Sequence, residues 1–168
     1  MSFTVDLIGF DTIRERLKTA SEEIFKEVDA EIGASAQNMA SAAKRDAPND
    51  QGLLVNEISY DKDPSQPLTW FVVSRASYSA FVEFGTRDNR VIPPGLEQKA
   101  SEVLKGAASS LSAKEAIFKW CARHGIDKKF WYPIFVKIMV VGIRPHPFFF
   151  KQLETEKPQL INRLQQIL

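Results

Sequence analysis

Apolar residues return at three- and four-residue steps through Ile13, Leu17, Ala20, Ile24, Val28, Ile32, Met39 and Ala43, the spacing that lines side chains along one face of a helix. Arg14, Glu15, Lys18, Glu22, Glu23, Lys26, Glu27, Glu31 and Lys44 fill the opposite face. Asp11, just after Gly9-Phe10, is placed to cap this helix, and Pro48, Asn49, Asp50 and Gly52 stop it near Arg45. Such a helix is long for a small domain. Between Gly33 and Ala43 its residues turn small, which lets another element approach closely. Two readings follow: the helix covers the core of its own chain, bent at Gly33, or part of it packs on a neighbouring subunit.

The period then changes. Leu53 to Tyr60 and Leu68 to Ser74 read as two strands, the second carrying the aromatic and β-branched run Trp70-Phe-Val-Val73. The short polar link Asp61 to Pro67 makes them an antiparallel hairpin. Tyr78-Ser-Ala-Phe-Val-Glu-Phe-Gly-Thr86 sets Tyr78, Phe81, Val82 and Phe84 around a single carboxylate, Glu83, and breaks at Gly85. It reads as a short helical turn or strand that fixes a corner. After a polar loop through Arg87, Asp88, Asn89, Arg90 and Pro93-Pro-Gly95, Leu96 to Leu111 predicts a modest helix. Ser112 is placed to cap another, Ala113 to His124, closed by Gly125. Lys128 to Val141 is apolar nearly all round and closes at Gly142, which predicts a helix buried in its own domain or in a partner. Together the last two form an αα-hairpin. Arg144-Pro-His-Pro-Phe-Phe-Phe150 stiffens the chain with Pro145 and Pro147 before three aromatics, and Lys151 to Leu168 closes as a helix with Pro158 near its middle.

The order predicts an α+β domain. A long N-terminal helix and a C-terminal helix pack on a small antiparallel sheet of three to four strands, with an inserted helical hairpin. The 168 residues suit a single domain, 1–168, with the insertion at about 87–143. Composition alters little, since 44% apolar and 26% charged residues are average for a globular chain. Twelve Phe and three Trp are a generous supply for a dense core or for surfaces buried against neighbours. A net charge of +1 gives no field suited to coating nucleic acid or an anionic membrane. One cysteine excludes an internal disulfide. No signal peptide and no membrane span is visible, and a cytoplasmic soluble protein is the default.

Candidate chemistry is sparse. Cys121 and His124 lie three apart on a predicted helix, but a structural zinc site needs four ligands and only His146 remains as a further histidine. A Cys-His nucleophile would need an orienting third group and an oxyanion pocket, and no motif supplies either. Glu83 could act as a general acid or base if its aromatic neighbours bury it; pairing with Arg75 or Arg87, or accepting backbone N–H groups at the turn, is the simpler role. No phosphate-binding glycine pattern, serine elbow or His-Glu metal helix occurs. The 112–141 hairpin imitates a helix-turn-helix, yet its second helix lacks the polar face that reads DNA.

Tyr78-Ser-Ala-Phe-Val-Glu-Phe-Gly-Thr86 resembles the Tyr-Ala-x-x-Val-Glu-Phe-Gly-Thr signature of the gene-product-10-like tail component family of long-tailed bacteriophages and prophages. Ser79 shifts the spacing by one position, while Val82, Glu83, Phe84, Gly85 and Thr86 fit. Ala47-Pro48 and Gly52-Leu53 resemble the family's boundary between long helix and first strand, and Pro145, Pro147 and Phe148 match its Pro-x-Pro-Phe before a terminal helix. The resemblance covers most of the chain outside about 87–143, a longer insertion than the simplest members carry. It implies assembly rather than catalysis: a virion protein of the tail terminus or neck, made in the host cytoplasm, with no cofactor and no metal. It further implies a homo-oligomeric ring, commonly hexameric, that completes the tail and joins it to the head. The partners implied are the tail tube and head-tail connector proteins, with DNA passing unread through the lumen and no membrane contact. Tyr78, Phe81, Val82, Glu83, Phe84, Gly85, Thr86, Pro145, Pro147 and Phe148 are the assembly residues so implied. Alternatives are a DNA-associated phage accessory protein and a small hydrolase.

Overall fold

The computed structural model describes residues 21–107 and 113–167, and the Asp11 and Ser112 caps fall outside them. The described chain is α+β, with seven α-helices and one two-stranded antiparallel sheet. It forms two compact units, one of residues 21–76 with 148–167, the other of residues 77–147.

In the first unit, α1 (Glu22–Asp46) starts where the Ser21 hydroxyl accepts from the Ile24 N–H. Glu22 and Glu23 in its first turn and Lys44 and Arg45 in its last complement the helix dipole. The small-residue face is buried at Gly33, Ser35, Ala36, Ala40 and Ala43, as the close-approach argument requires. α1 runs against both strands and against α7 (Phe150–Ile167), so this part of the stripe covers the core of its own chain. Val28, Leu160 and Leu164 are its fully buried centre, with Ile24, Ile32, Leu68 and Ile167 packed around them. Each such aliphatic side chain contributes about 1.5–3 kcal/mol by leaving water.

Leu53–Asn56, expected as the start of a strand, is instead a helical turn, α2. Gly52 takes φ +74 with its N–H held by the Asn49 side chain, and Asn56 N–H closes the turn on the Gly52 carbonyl. β1 (Ile58–Lys62) then pairs with β2 (Trp70–Ser74) in the register Tyr60 to Val72. Among the described residues the sheet therefore has two strands, not three to four: one expected strand segment is partly helical, and the signature segment is helical as well. Gly33 is where the indole of Trp70 lies on α1, since a Cβ there would stand 2.7 Å from Trp70 Cζ2. Asp29 fixes that ring by accepting from Trp70 Nε1 at 3.2 Å and from Lys62 Nζ at 2.5 Å.

α1 and α7 are also locked by charge. Arg163 donates to Glu156 at 2.6 Å, to Ser35 Oγ at 2.5 Å and to Glu31 at 2.8 Å, and the Ser35 hydroxyl donates to the buried Glu156. These hydrogen bonds hold the Arg163 guanidinium even more firmly protonated than usual. Pro158 sits inside α7 without ending it.

In the second unit, α3 (Ser79–Phe84) follows Tyr78, and a 3-10 turn spans Arg87–Asn89. α4 (Glu97–Ala107), α5 (Ala113–Arg123) and α6 (Trp131–Val141) complete it. α5 and α6 pack as the expected hairpin, turning at Gly125 with φ +67 and entering α6 through a 3-10 turn, Lys128–Phe130, capped by Asp127. Pro133 stands in the first turn of α6, where a missing N–H costs nothing. The expectation that this helix is buried within its own domain does not hold, because no residue of α6 is buried.

Candidate functional site

Four segments converge on the corner at Gly85. α3 ends there with φ +70 and ψ −175, backbone that side-chain-bearing residues rarely adopt. A Cβ at this position would lie 2.8 Å from the Ile143 carbonyl oxygen, 2.9 Å from that of Asn89 and 2.9 Å from Pro145 Cδ. Only glycine lets the chains pass so closely. Thr86 then clasps Ile143 from both sides. Its N–H donates to the Ile143 carbonyl at 3.0 Å, and its hydroxyl accepts from the Ile143 N–H at 2.8 Å. One step inward, His146 N–H donates to the Val82 carbonyl at 2.7 Å, and Val91 N–H donates to that of Phe84 at 2.9 Å.

The two distant motifs are therefore partly one site. Val82, Gly85 and Thr86 meet the segment 143–146, with Pro145 against the corner glycine. Ser79, Ala80, Glu83 and Phe84 are the buried face of α3, while Phe81 and Val82 are half-buried and Tyr78 is exposed. Pro147 ends this unit. Phe148 belongs to the other unit, buried beside Phe149 and Phe150 in successive edge-to-face contacts. Of the partners considered for Glu83, Arg75 is engaged on β1, donating to Ser59 Oγ and Asp61. Glu83 itself is 3% exposed.

Two residues of the clasp had no signal in the motifs. Asn89 donates its side-chain amide to the Val141 carbonyl at 2.7 Å. Gly142, recognised only as a helix stop, takes φ +88 because a Cβ there would collide with the Thr86 carbonyl. The glycine after an apolar helix was the available clue, but its contact partner lies 56 residues earlier and leaves no local mark.

Elsewhere the chemistry is thin. Cys121 is buried in α5, and His124 stacks on Trp120 with ring centroids 4.6 Å apart. Among the described residues no three His, Cys, Asp or Glu side chains gather as metal ligands, and no helix is long and apolar enough to cross a membrane. The hairpin interior is aromatic: Phe118 meets Trp131 edge-on at 5.8 Å, and Trp131 meets Phe135 at 6.4 Å. Its outside is apolar as well. Tyr132, Val136, Met139 and Val140 are exposed at the steps that make one stripe along α6, and Ile143, just past its end, is exposed as well.

No curated protein and no solved structure matches the chain. A family match covers α1, the sheet and the signature as far as Gly85, which is the part of the chain that carries the long helix and the corner. Residues 11–85 are similar to the phage tail-component family described as "Bacteriophage HK97-gp10, putative tail-component".

Proposed function

We propose that this protein is a structural component of a tailed phage or prophage virion that self-associates into a ring at the tail terminus or neck, completing the tail and joining it to the head. The observation that carries the reading is the exposed apolar stripe of α6, held on a rigid clasp in a chain whose 11–85 segment is of tail-component type. Four large apolar side chains on one helix face, with Ile143 just past its end, are a surface built for contact with protein rather than water. Val82, Gly85, Thr86 and Pro145 act by fixing the corner from which the insertion projects, Tyr78, Phe81, Glu83, Phe84 and Pro147 support it within the same unit, and Phe148 acts in the core of the other unit. The role is non-enzymatic and uses no cofactor. The ring meets the tail tube on one face and connector proteins on the other, with DNA crossing its lumen.

Electron micrographs of tails assembled with and without the protein test this. Overlong tails in its absence identify a length-terminating cap, and normal tails that fail to attach to heads identify a joining protein. Normal, head-bound tails made without it overturn the proposal. A DNA-associated accessory role draws support from one observation, the excess of cations in the 77–147 unit. It predicts duplex binding that weakens steeply with salt.

A further inference from the structure

The two units differ in charge. Residues 77–147 hold eleven Lys and Arg against six Asp and Glu, a formal +5, whereas residues 21–76 with 148–167 hold eight against twelve, a formal −4. No acidic residue occurs between Lys128 and Pro147, where Lys128, Lys129, Lys137 and Arg144 surround the α6 stripe. The stripe is not left over from the hairpin's own core. There Cys121 is buried and Trp131 and Phe135 are half-buried, while Phe118, edge-on to Trp131, is itself 40% exposed. The acidic unit carries a shallow, solvent-open groove lined mainly by Ile32, Met39, Trp70, Val72, Leu153 and Leu160, with Glu156 and Lys157 also in its lining.

Building on the self-association proposed above, we propose that the α6 stripe of one copy docks in the α1–β2–α7 groove of a second copy. Apolar stripe would meet apolar groove while a basic surface faces an acidic one, so burial supplies affinity and charge supplies register. The alternative pairing of two stripes would bring Lys128, Lys137 and Arg144 toward their own duplicates, with Asp127, already paired to Lys129 at 3.3 Å, as the one acid beside them. Like charges across an interface oppose association. A contact between unlike surfaces is head-to-tail, and repetition of it closes a ring when the rotation per subunit permits. An anionic membrane would also attract a basic apolar stripe, but it would repel the acidic unit of the same chain, which a second copy instead uses.

Two variants separate these cases. Val140→Glu places an acid on the stripe at a side chain that is 66% exposed, and Leu153→Lys places a cation in the groove. Circular dichroism confirms that each retains the wild-type fold before association is measured by sedimentation velocity. Each variant alone should self-associate more weakly than wild type by about tenfold or more, as loss of an interface anchor does. Mixed in equal amounts they should regain dimers and stop there, because the intact groove of Val140→Glu accepts the intact stripe of Leu153→Lys. Leu153→Lys that self-associates like wild type would show that stripes pair with stripes and would overturn the contact. So would a mixture that forms no dimer, or a monomeric wild-type chain that instead co-sediments with phosphatidylglycerol-containing vesicles. Val140→Glu in tail assembly keeps the two proposals apart. If it completes and joins tails as wild type does, the contact is wrong and the virion role stands; if tails lacking the protein are already normal, the virion role itself is wrong.

Discussion

Replacing Gly85 with alanine tests the clasp at its tightest point. The new Cβ incurs two costs. Its φ of +70 with ψ −175 is a region essentially reserved for glycine, at about 1–3 kcal/mol for any other residue. It also enters a space bounded by two backbone carbonyl oxygens, at 2.8 and 2.9 Å, and by a proline ring. Neither oxygen can rotate away as a side chain would, and the Ile143 carbonyl is the acceptor for Thr86 N–H. Forcing them apart adds roughly 1–3 kcal/mol, as overpacking generally does. The sum, about 2–6 kcal/mol, is a large part of the ~5–15 kcal/mol that holds a domain folded. At about 2–4 °C per kcal/mol for a chain of this length, melting should fall by on the order of 10 °C. Gly95→Ala is the matched control, because φ is +85 there and nothing lies within 4 Å of its Cβ, so only the backbone cost applies. Hydrogen exchange should show the Thr86, Val91 and His146 amides losing protection in Gly85→Ala and keeping it in Gly95→Ala. Equal losses of stability in the two variants would refute the steric argument.

Gly33→Ala should destabilise by about 1–2 kcal/mol, since overpacking against Trp70 outweighs the ~1 kcal/mol that alanine gains over glycine in a helix. In a Trp70→Phe background, which lacks the indole atoms within reach, the same change should stabilise; a double-mutant cycle by urea unfolding that shows no reversal of sign contradicts the packing. Arg163→Met keeps the aliphatic stem but leaves buried Glu156 with the Ser35 hydroxyl as its remaining described donor, so unfolding free energy should fall by about 1–3 kcal/mol, discounted for the partial exposure of Arg163. Adding Glu156→Gln should recover part of that loss, and no recovery would mean the buried carboxylate is not the source of the cost. The hydrogen bond from Gln152, followed by that from Lys151, holds Asp46 below its ordinary value of 3.8. A depressed folded value means its stabilising contribution is full above that pH and is lost as pH falls through the folded value, so Asp46→Asn should lower urea midpoints at neutral pH and leave them nearly unchanged once the wild-type carboxyl is protonated, which flattens the acid limb below about pH 4.

What the sequence disclosed follows the range of the forces involved. The end of α1 before Pro48, the strand run at Trp70 to Ser74, the Gly125 turn and the α5–α6 hairpin are set by local pattern and lie where the pattern puts them, whereas α1 starts at Glu22 after an extended Ser21, so the helix does not run unbroken from Asp11. Leu53 to Asn56 was ambiguous in kind, because a four-residue apolar run fits a buried strand or a helical turn equally well. The decision rests on Gly52 adopting a positive φ and starting the turn, which a glycine permits without announcing. The signature and the Pro-x-Pro segment were legible as separate corners, but not the hydrogen bonds that join Thr86 to Ile143 or Asn89 to Val141, because contacts between distant residues leave no period in the chain. The cover of α6 was left open between its own domain and a partner for a related reason. A helix apolar on all sides calls for cover, and the sequence carries no mark of whether the cover is a core or a second molecule.

The clasp also explains how a hairpin of this size can be carried at all. Thr86 and Ile143 are 57 positions apart, yet two hydrogen bonds hold them side by side, with glycines at 85 and 142 removing the Cβ atoms that would keep the strands apart. Closing a loop costs free energy that grows only with the logarithm of its length, about 0.6 kcal/mol for each doubling. Once the neck of the loop is fixed, residues beyond it can therefore be added or exchanged with little effect on the neck. Selection on the clasp and selection on the surface it presents are then separable, the first acting through backbone geometry and the second through the side chains of α6. Substitutions along the Tyr132 to Val140 stripe should accordingly alter association while leaving the melting of the clasp nearly unchanged, whereas Gly85 and Gly142 should do the reverse.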